Sequence, residues 1–152
     1  MTLDIDHFSL AVSDLEKAIA FFSRGFGFDV HFVEWGMTHQ IASMLGLEGA
    51  SCDLAQLALG DGGPRLELIA FRHAGIGEAS SHPMSPGMGH VALKADDFEA
   101  TLERLKQLGA EPLGNITDFS AGRSVYLRTP FGAFLELEEV PPRQAASAEV
   151  GA

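Results

Sequence analysis

The sequence contains a single cysteine, Cys52, so no internal disulfide can form and a reducing compartment, the cytoplasm, is the expected setting. No apolar run approaches the ~20 residues needed to cross a bilayer, and no signal-peptide pattern opens the chain, so neither a membrane span nor export is expected. Basic residues are scarce: ten Lys and Arg against 21 Asp and Glu leave a net charge of −11, and the cations are scattered rather than gathered into a stripe. Such a surface repels phosphate, which argues against nucleic acid or an anionic membrane and points to a small molecule or a protein as partner. Covalent chemistry finds no support either, since no serine sits on a nucleophile elbow and nothing in the sequence around Cys52 activates a thiolate. Gly60-Asp61-Gly62-Gly63-Pro64 reads as a hairpin turn rather than a phosphate loop.

What the sequence does contain is a copy of itself. His7-Phe-Ser-Leu-Ala-Val-Ser-Asp-Leu-Glu16 matches His90-Val-Ala-Leu-Lys-Ala-Asp-Asp-Phe-Glu99 at a constant offset of 83 positions. Each copy reads as a short strand, a polar turn (Ser13-Asp14 or Asp96-Asp97) and an amphipathic helix. Leu15, Ile19 and Phe22 form the first helix stripe; Phe98, Leu102 and Leu105 form the second. Gly25 and Gly27 are expected to close the first helix and Gly109 the second. The copies also end alike, with Leu66-Glu67-Leu68 matching Leu135-Glu136-Leu137 inside β-rich runs. Middle strands are expected at 28–34 and 54–60 in the first copy and at 113–117 and 123–129 in the second, with Thr129-Pro130-Phe131-Gly132 turning into the last strand. The fold class is therefore α+β: two tandem βαβββ modules, at 3–71 and 88–140, joined by a linker at 72–87. They form a single domain over 1–140, and a frayed, disordered tail is expected from Pro141 onward.

The copies differ in length, with His and Glu 60 positions apart in the first and 46 in the second. The 14 extra residues are assigned to 35–53, where Ile41, Met44, Leu45 and Leu47 share one face of a short helix. That helix is expected either as a lid or wall beside a binding cup or as a dimer-packing element.

Strand parity puts His7 on the face of Ile5, Ser9 and Ala11, and His90 on the face of Met88 and Ala92; Glu67 and Glu136 point away from their leucine neighbours. With the leucines in the core, both carboxylates face the concave side of the sheet. A carboxylate there is costly unless paired or metal-bound. Two His and two Glu converging in one cup meet that cost with one divalent cation, for which Ni, Co, Zn, Mn or Fe all suit the donors. His7, Glu67, His90 and Glu136 are thus the expected metal ligands, at a catalytic site with positions left for water or substrate oxygens. Phe134, Met88, Phe119 and Trp35 are expected to wall it. His31, His39, His73 and His82 are assigned no chemistry, although His39 on the inserted helix is the one placed to reach a substrate.

On these residues the chain resembles the vicinal oxygen chelate superfamily, the group of glyoxalases, bleomycin resistance proteins and extradiol dioxygenases. The resemblance runs over roughly 3–140, through Ile5-Asp-His-Phe-Ser-Leu-Ala-Val, Gly89-His-Val-Ala-Leu and Tyr126-Leu-Arg-Thr-Pro-Phe-Gly-Ala-Phe-Leu-Glu-Leu. It implies paired modules forming a partly closed, mixed β-barrel around a metal site, usually as homodimers, with modules paired within one chain or swapped between two. The family's four metal positions fall on His7, Glu67, His90 and Glu136. This set is similar to that of glyoxalase I and methylmalonyl-CoA epimerase, which implies a lyase or isomerase that abstracts a proton next to a metal-bound carbonyl through an enediolate or enolate. Glu136 is then the general base and Glu67 the second catalytic carboxylate, acting on a small molecule with carbonyl or vicinal oxygens. The alternatives are a ring-cleaving dioxygenase using Fe(II) on His7, His90 and Glu136, and a drug-binding resistance protein without turnover.

Overall fold

The computed structural model of the chain describes residues 4–78 and 80–140; the tail expected to fray from Pro141 lies outside them. In the first module, β1 (His7–Ala11), α1 (Leu15–Phe26), β2 (Asp29–Met37), α2 (His39–Leu45), β3 (Ser51–Ala58) and β4 (Arg65–Arg72) follow in order. The second runs β5 (Val91–Ala95), α3 (Phe98–Gln107), β6 (Glu111–Pro112), β7 (Thr117–Phe119), β8 (Gly122–Arg128) and β9 (Phe134–Glu139). The strands make two mixed sheets, ordered β1-β4-β3-β2 and β5-β9-β8-β6 with β7 also on β8. The first strand of each module lies parallel to its last, and every other pairing is antiparallel. This is the tandem βαβββ arrangement written in the repeat, with two sheets and no closed barrel among the described residues. No helix among them is long and apolar enough to cross a membrane.

The repeat is visible down to its caps. Asp14 and Asp97 each accept a hydrogen bond from the backbone N–H three residues on, at 3.0 Å in both cases, which satisfies an otherwise orphaned donor of the first turn. Both helices bury their expected stripes against the leucines of the sheets. Leu66 and Leu68 are 5% and 0% exposed, Leu135 and Leu137 1% and 0%. One core serves both modules. The two helices meet where Gly25 faces Leu105, and a Cβ at Gly25 would lie 2.8 Å from the leucine side chain. Gly25 therefore does not close the first helix as its sequence position suggested; it stays inside α1 and makes room for α3. Gly27, at φ 76°, is the residue that ends the helix.

Phe131 joins the halves at their other end. Its carbonyl accepts from the Ser13 N–H at 3.0 Å, and its ring meets Phe21 edge-on at 5.3 Å and Phe22 at 6.1 Å. Phe131→Ala empties a fully enclosed site between the modules, and a loss of about 3–5 kcal/mol is expected, read as a lower urea midpoint in equilibrium unfolding.

Two element boundaries differ from the sequence reading. The segment 113–117 is not one strand: β6 ends at Pro112 and β7 begins at Thr117, because Gly114 and Asn115 break the run while the Leu113 N–H still reaches the Tyr126 carbonyl at 2.9 Å. The insertion is also shorter than 35–53, since Trp35–Met37 continue β2 and Ser51–Asp53 begin β3. Gly36, at φ 68°, sits where the β2–β3 register shifts, and its N–H donates to the Asp53 carboxylate at 2.7 Å. Arg72 closes on the other oxygen of Asp53. That guanidinium, followed by the Gly36 N–H, holds the Asp53 carboxyl below its ordinary range.

Candidate metal centre

The sheet register gives both halves the same local geometry. Ser9 pairs with Glu67 and Ala92 with Glu136, so each histidine lies two residues before the partner of its glutamate. Pleat alternation then places His and Glu together on the face away from the leucines. His7 Nε2 lies 3.6 Å from Glu67 Oε1, and His90 Nε2 lies 3.1 Å from Glu136 Oε2. All four side chains are partly shielded, the glutamates at 14% and 18% exposure.

The single chain does not bring the two pairs to one point. Among the described residues no three His, Cys, Asp or Glu side chains are grouped closely enough to hold a metal ion. Each pair nonetheless has the chemistry of half a metal site, with one imidazole nitrogen and one carboxylate oxygen meeting at one place on a sheet face. A cation of this ligand class takes four or more donors, so either pair alone is incomplete.

The surroundings of the pairs differ. Asp6 Oδ2 contacts His7 Nδ1 at 2.8 Å, and the hydrogen bond from His7, followed by the Arg65 charge, lowers the Asp6 pKa. Gln56, opposite Glu67 in the register, donates to Glu67 Oε2 at 3.3 Å. On the other side Ser124 donates to Glu136 Oε1 at 2.5 Å, and the Tyr126 ring stands edge-on to His90 at 4.9 Å. Burial, followed by the Glu136 charge, raises the Tyr126 pKa. Asp6, Gln56, Ser124 and Tyr126 were not singled out in the sequence. Aligning the strands that precede the two glutamates brings Gln56 and Tyr126 into equivalent places, and that was the signal available for them.

Of the expected walls, Phe134 and Met88 line a cavity of about 630 Å³ that runs between β1 and β5 past His90. Phe119 and Trp35 do not line it and are 62% and 54% exposed. The inserted helix α2 lies on the Glu67 face, where Ile41 packs on Cys52, Leu54 and Ile69. Leu54 and Ile69 are each two residues along from Gln56 and Glu67, hence on the same side of the sheet. Met44, Leu45 and Leu47 are exposed instead of sharing the buried side, as is His39 at the start of the helix.

Solved structures share this architecture. A glyoxalase family protein from Bacillus cereus superposes with a TM-score of 0.79 at 24% identity, covering 91% of this chain and 95% of that one. The fosfomycin resistance protein FosX from Listeria monocytogenes, in complex with Mn(II) and a dihydroxypropylphosphonic acid, gives 0.61 at 18% identity, covering 91% and 90%. TnmS3, an antibiotic binding protein from Streptomyces, gives 0.58 at 22% identity, covering 91% and 97%. At such identities the likeness is one of fold. No curated protein matches the chain. The profile of the Glyoxalase/Bleomycin resistance protein/Dioxygenase superfamily matches residues 4–137, from just before β1 into β9 and through both His–Glu pairs, and the chain belongs to that superfamily.

Proposed function

We propose that the protein is a metal-dependent lyase or isomerase of the glyoxalase or epimerase kind, acting in the cytoplasm as a homodimer. In this reading the His7–Glu67 pair of one copy and the His90–Glu136 pair of the other share one divalent cation. The observation that carries it is the repeated half-site: the same two donors at the same register positions of both modules, each facing away from the core and neither complete within its own chain. The strands beside the histidines support a second copy. β1 pairs only with β4 and β5 only with β9 among the described residues, which leaves one edge of each open, and Phe8 on β1 is 54% exposed. A two-fold pairing of such surfaces produces two equal sites.

A bound divalent cation supplies Lewis-acid stabilisation of the negative charge that grows on a substrate oxygen. The chain's own groups supply the rest. Glu136 takes the proton from the carbon next to the substrate carbonyl, held meanwhile by the Ser124 hydroxyl; Glu67, anchored by Gln56, stands at the opposite side to return it. Phe134, 1% exposed, and Met88 supply apolar surface beside His90. The substrate class is a small molecule with a carbonyl or vicinal oxygens, and the cation is Ni, Co, Zn, Mn or Fe. The complete pairing of Glu67 with His7 favours this chemistry over ring cleavage, which needs only His7, His90 and Glu136. The test is solvent-deuterium exchange into a panel of 2-oxo and thioester compounds by protein loaded with each cation in turn. Exchange supports the proposal; catechol cleavage with Fe(II), or tight drug binding without any turnover, overturns it.

A further inference from the structure

Around His7 the contacts close into a ring that has no counterpart around His90. His7 Nδ1 meets Asp6 Oδ2 at 2.8 Å. Arg65 donates to Asp6 Oδ1 at 3.3 Å through one nitrogen and to Gln56 Oε1 at 2.7 Å through another. Gln56 in turn donates to Glu67 Oε2 at 3.3 Å, and Glu67 Oε1 faces His7 Nε2 at 3.6 Å. In the second module Gly89 occupies the place of Asp6, Tyr126 that of Gln56 and Phe134 that of Arg65.

For the neutral imidazole these contacts point to where its hydrogen sits. An ionised carboxylate only accepts, so the hydrogen between His7 and Asp6 belongs to Nδ1. In the neutral ring Nε2 then carries a lone pair, and it points at an oxygen of Glu67 that also carries lone pairs. Gln56 holds the other oxygen of Glu67 with its N–H because its own carbonyl is taken by Arg65, which fixes the amide's orientation. Two donors of electron pairs are thereby aimed at one place before any cation arrives.

We propose that Asp6, Arg65 and Gln56 are positioning residues that lock His7 as the Nδ1–H tautomer and orient Glu67, which makes the first module the pre-organised half of the site. The use of this arrangement rests on the metal reading above; the tautomer itself does not. Outer-shell partners of this kind set ring orientation and ligand basicity, and their loss costs about 10- to 100-fold in metal affinity.

The experiment is a long-range proton–nitrogen NMR correlation of the histidine rings in the metal-free full chain, followed by titration with Mn(II) alone. At a pH where the ring is neutral, the wild type is expected to show His7 as Nδ1–H. Asp6→Ala shifts it toward the Nε2–H form, leaves the His90 signals in place and weakens Mn(II) binding about 10- to 100-fold. An Nε2–H ring in the wild type, a tautomer indifferent to Asp6→Ala, or unchanged Mn(II) affinity in that variant overturns the proposal. If the tautomer responds as expected but no divalent cation binds even the wild type, the locking ring stands and the metal reading is what fails.

Discussion

Glu136→Gln is expected to retain bound Mn(II) while proton exchange into substrate falls by about 10²- to 10⁴-fold, the usual worth of a positioned general base. The amide keeps an oxygen where the carboxylate Oε2 faces His90 Nε2 at 3.1 Å, and its NH2, in the place of Oε1, can donate to the Ser124 hydroxyl oxygen. What it lacks is affinity for a proton. Glu136→Ala removes the oxygen as well, so the cation itself is lost, by more than the roughly 100-fold that bounds outer-shell changes. Glu67 provides the comparison. Glu67→Ala should strip the ion to a similar degree, whereas Glu67→Gln should slow exchange less than Glu136→Gln, because Gln56 tethers Glu67 and Glu136 is the assigned base. Metal content measured beside deuterium incorporation separates the two roles. Equal exchange in Glu136→Gln and wild type, at equal metal loading, would show that Glu136 is not the base.

The second large effect concerns two inactive chains that repair one another. His7→Ala and His90→Ala each damage every site when present alone. In a dimer containing one of each, one site combines both substitutions, and the other combines the intact His7 of one chain with the intact His90 of its partner. Random reassembly makes half the dimers mixed, so about a quarter of wild-type metal occupancy and turnover should return. Sites completed within one chain gain nothing from mixing. The result therefore reads module pairing directly, and Glu67→Ala mixed with Glu136→Ala repeats it through the carboxylates.

Much of this arrangement was legible in the sequence because duplication makes two weak signals check each other. A strand-start histidine or a Leu-Glu-Leu triplet has an ordinary explanation when it stands alone. At matched places in two copies they predicted the face of each side chain, and the register pairs Ser9 with Glu67 and Ala92 with Glu136. Burial of Leu68 and Leu137, both 0% exposed, follows from the same alternation.

The remainder depended on interactions that periodicity does not encode. Gly25 reads as a helix stop until Leu105, 80 positions away in the chain, is placed against it. In the insertion, four apolar residues shared one helical face on paper. Only Ile41 is buried; Met44 and Leu45 stand exposed on α2, and Gly46 at φ 65° ends the helix before Leu47. The ring through Asp6, Arg65 and Gln56 joins residues whose proximity is set by strand register, so it became visible only once β1, β3 and β4 were aligned side by side. Whether the two His–Glu pairs gather within one chain or across two stays open in the sequence, because a repeat fixes what each half presents and says nothing about which half faces it.

The central claim is one cation shared by two copies, and anomalous diffraction from crystals of the Mn(II)-loaded protein tests it most directly. The expected map has one manganese peak per chain, each touched by His7 and Glu67 of one protomer and by His90 and Glu136 of its partner. A peak bound by only one of these pairs, a peak elsewhere in the molecule, or four ligands drawn from a single chain would contradict it.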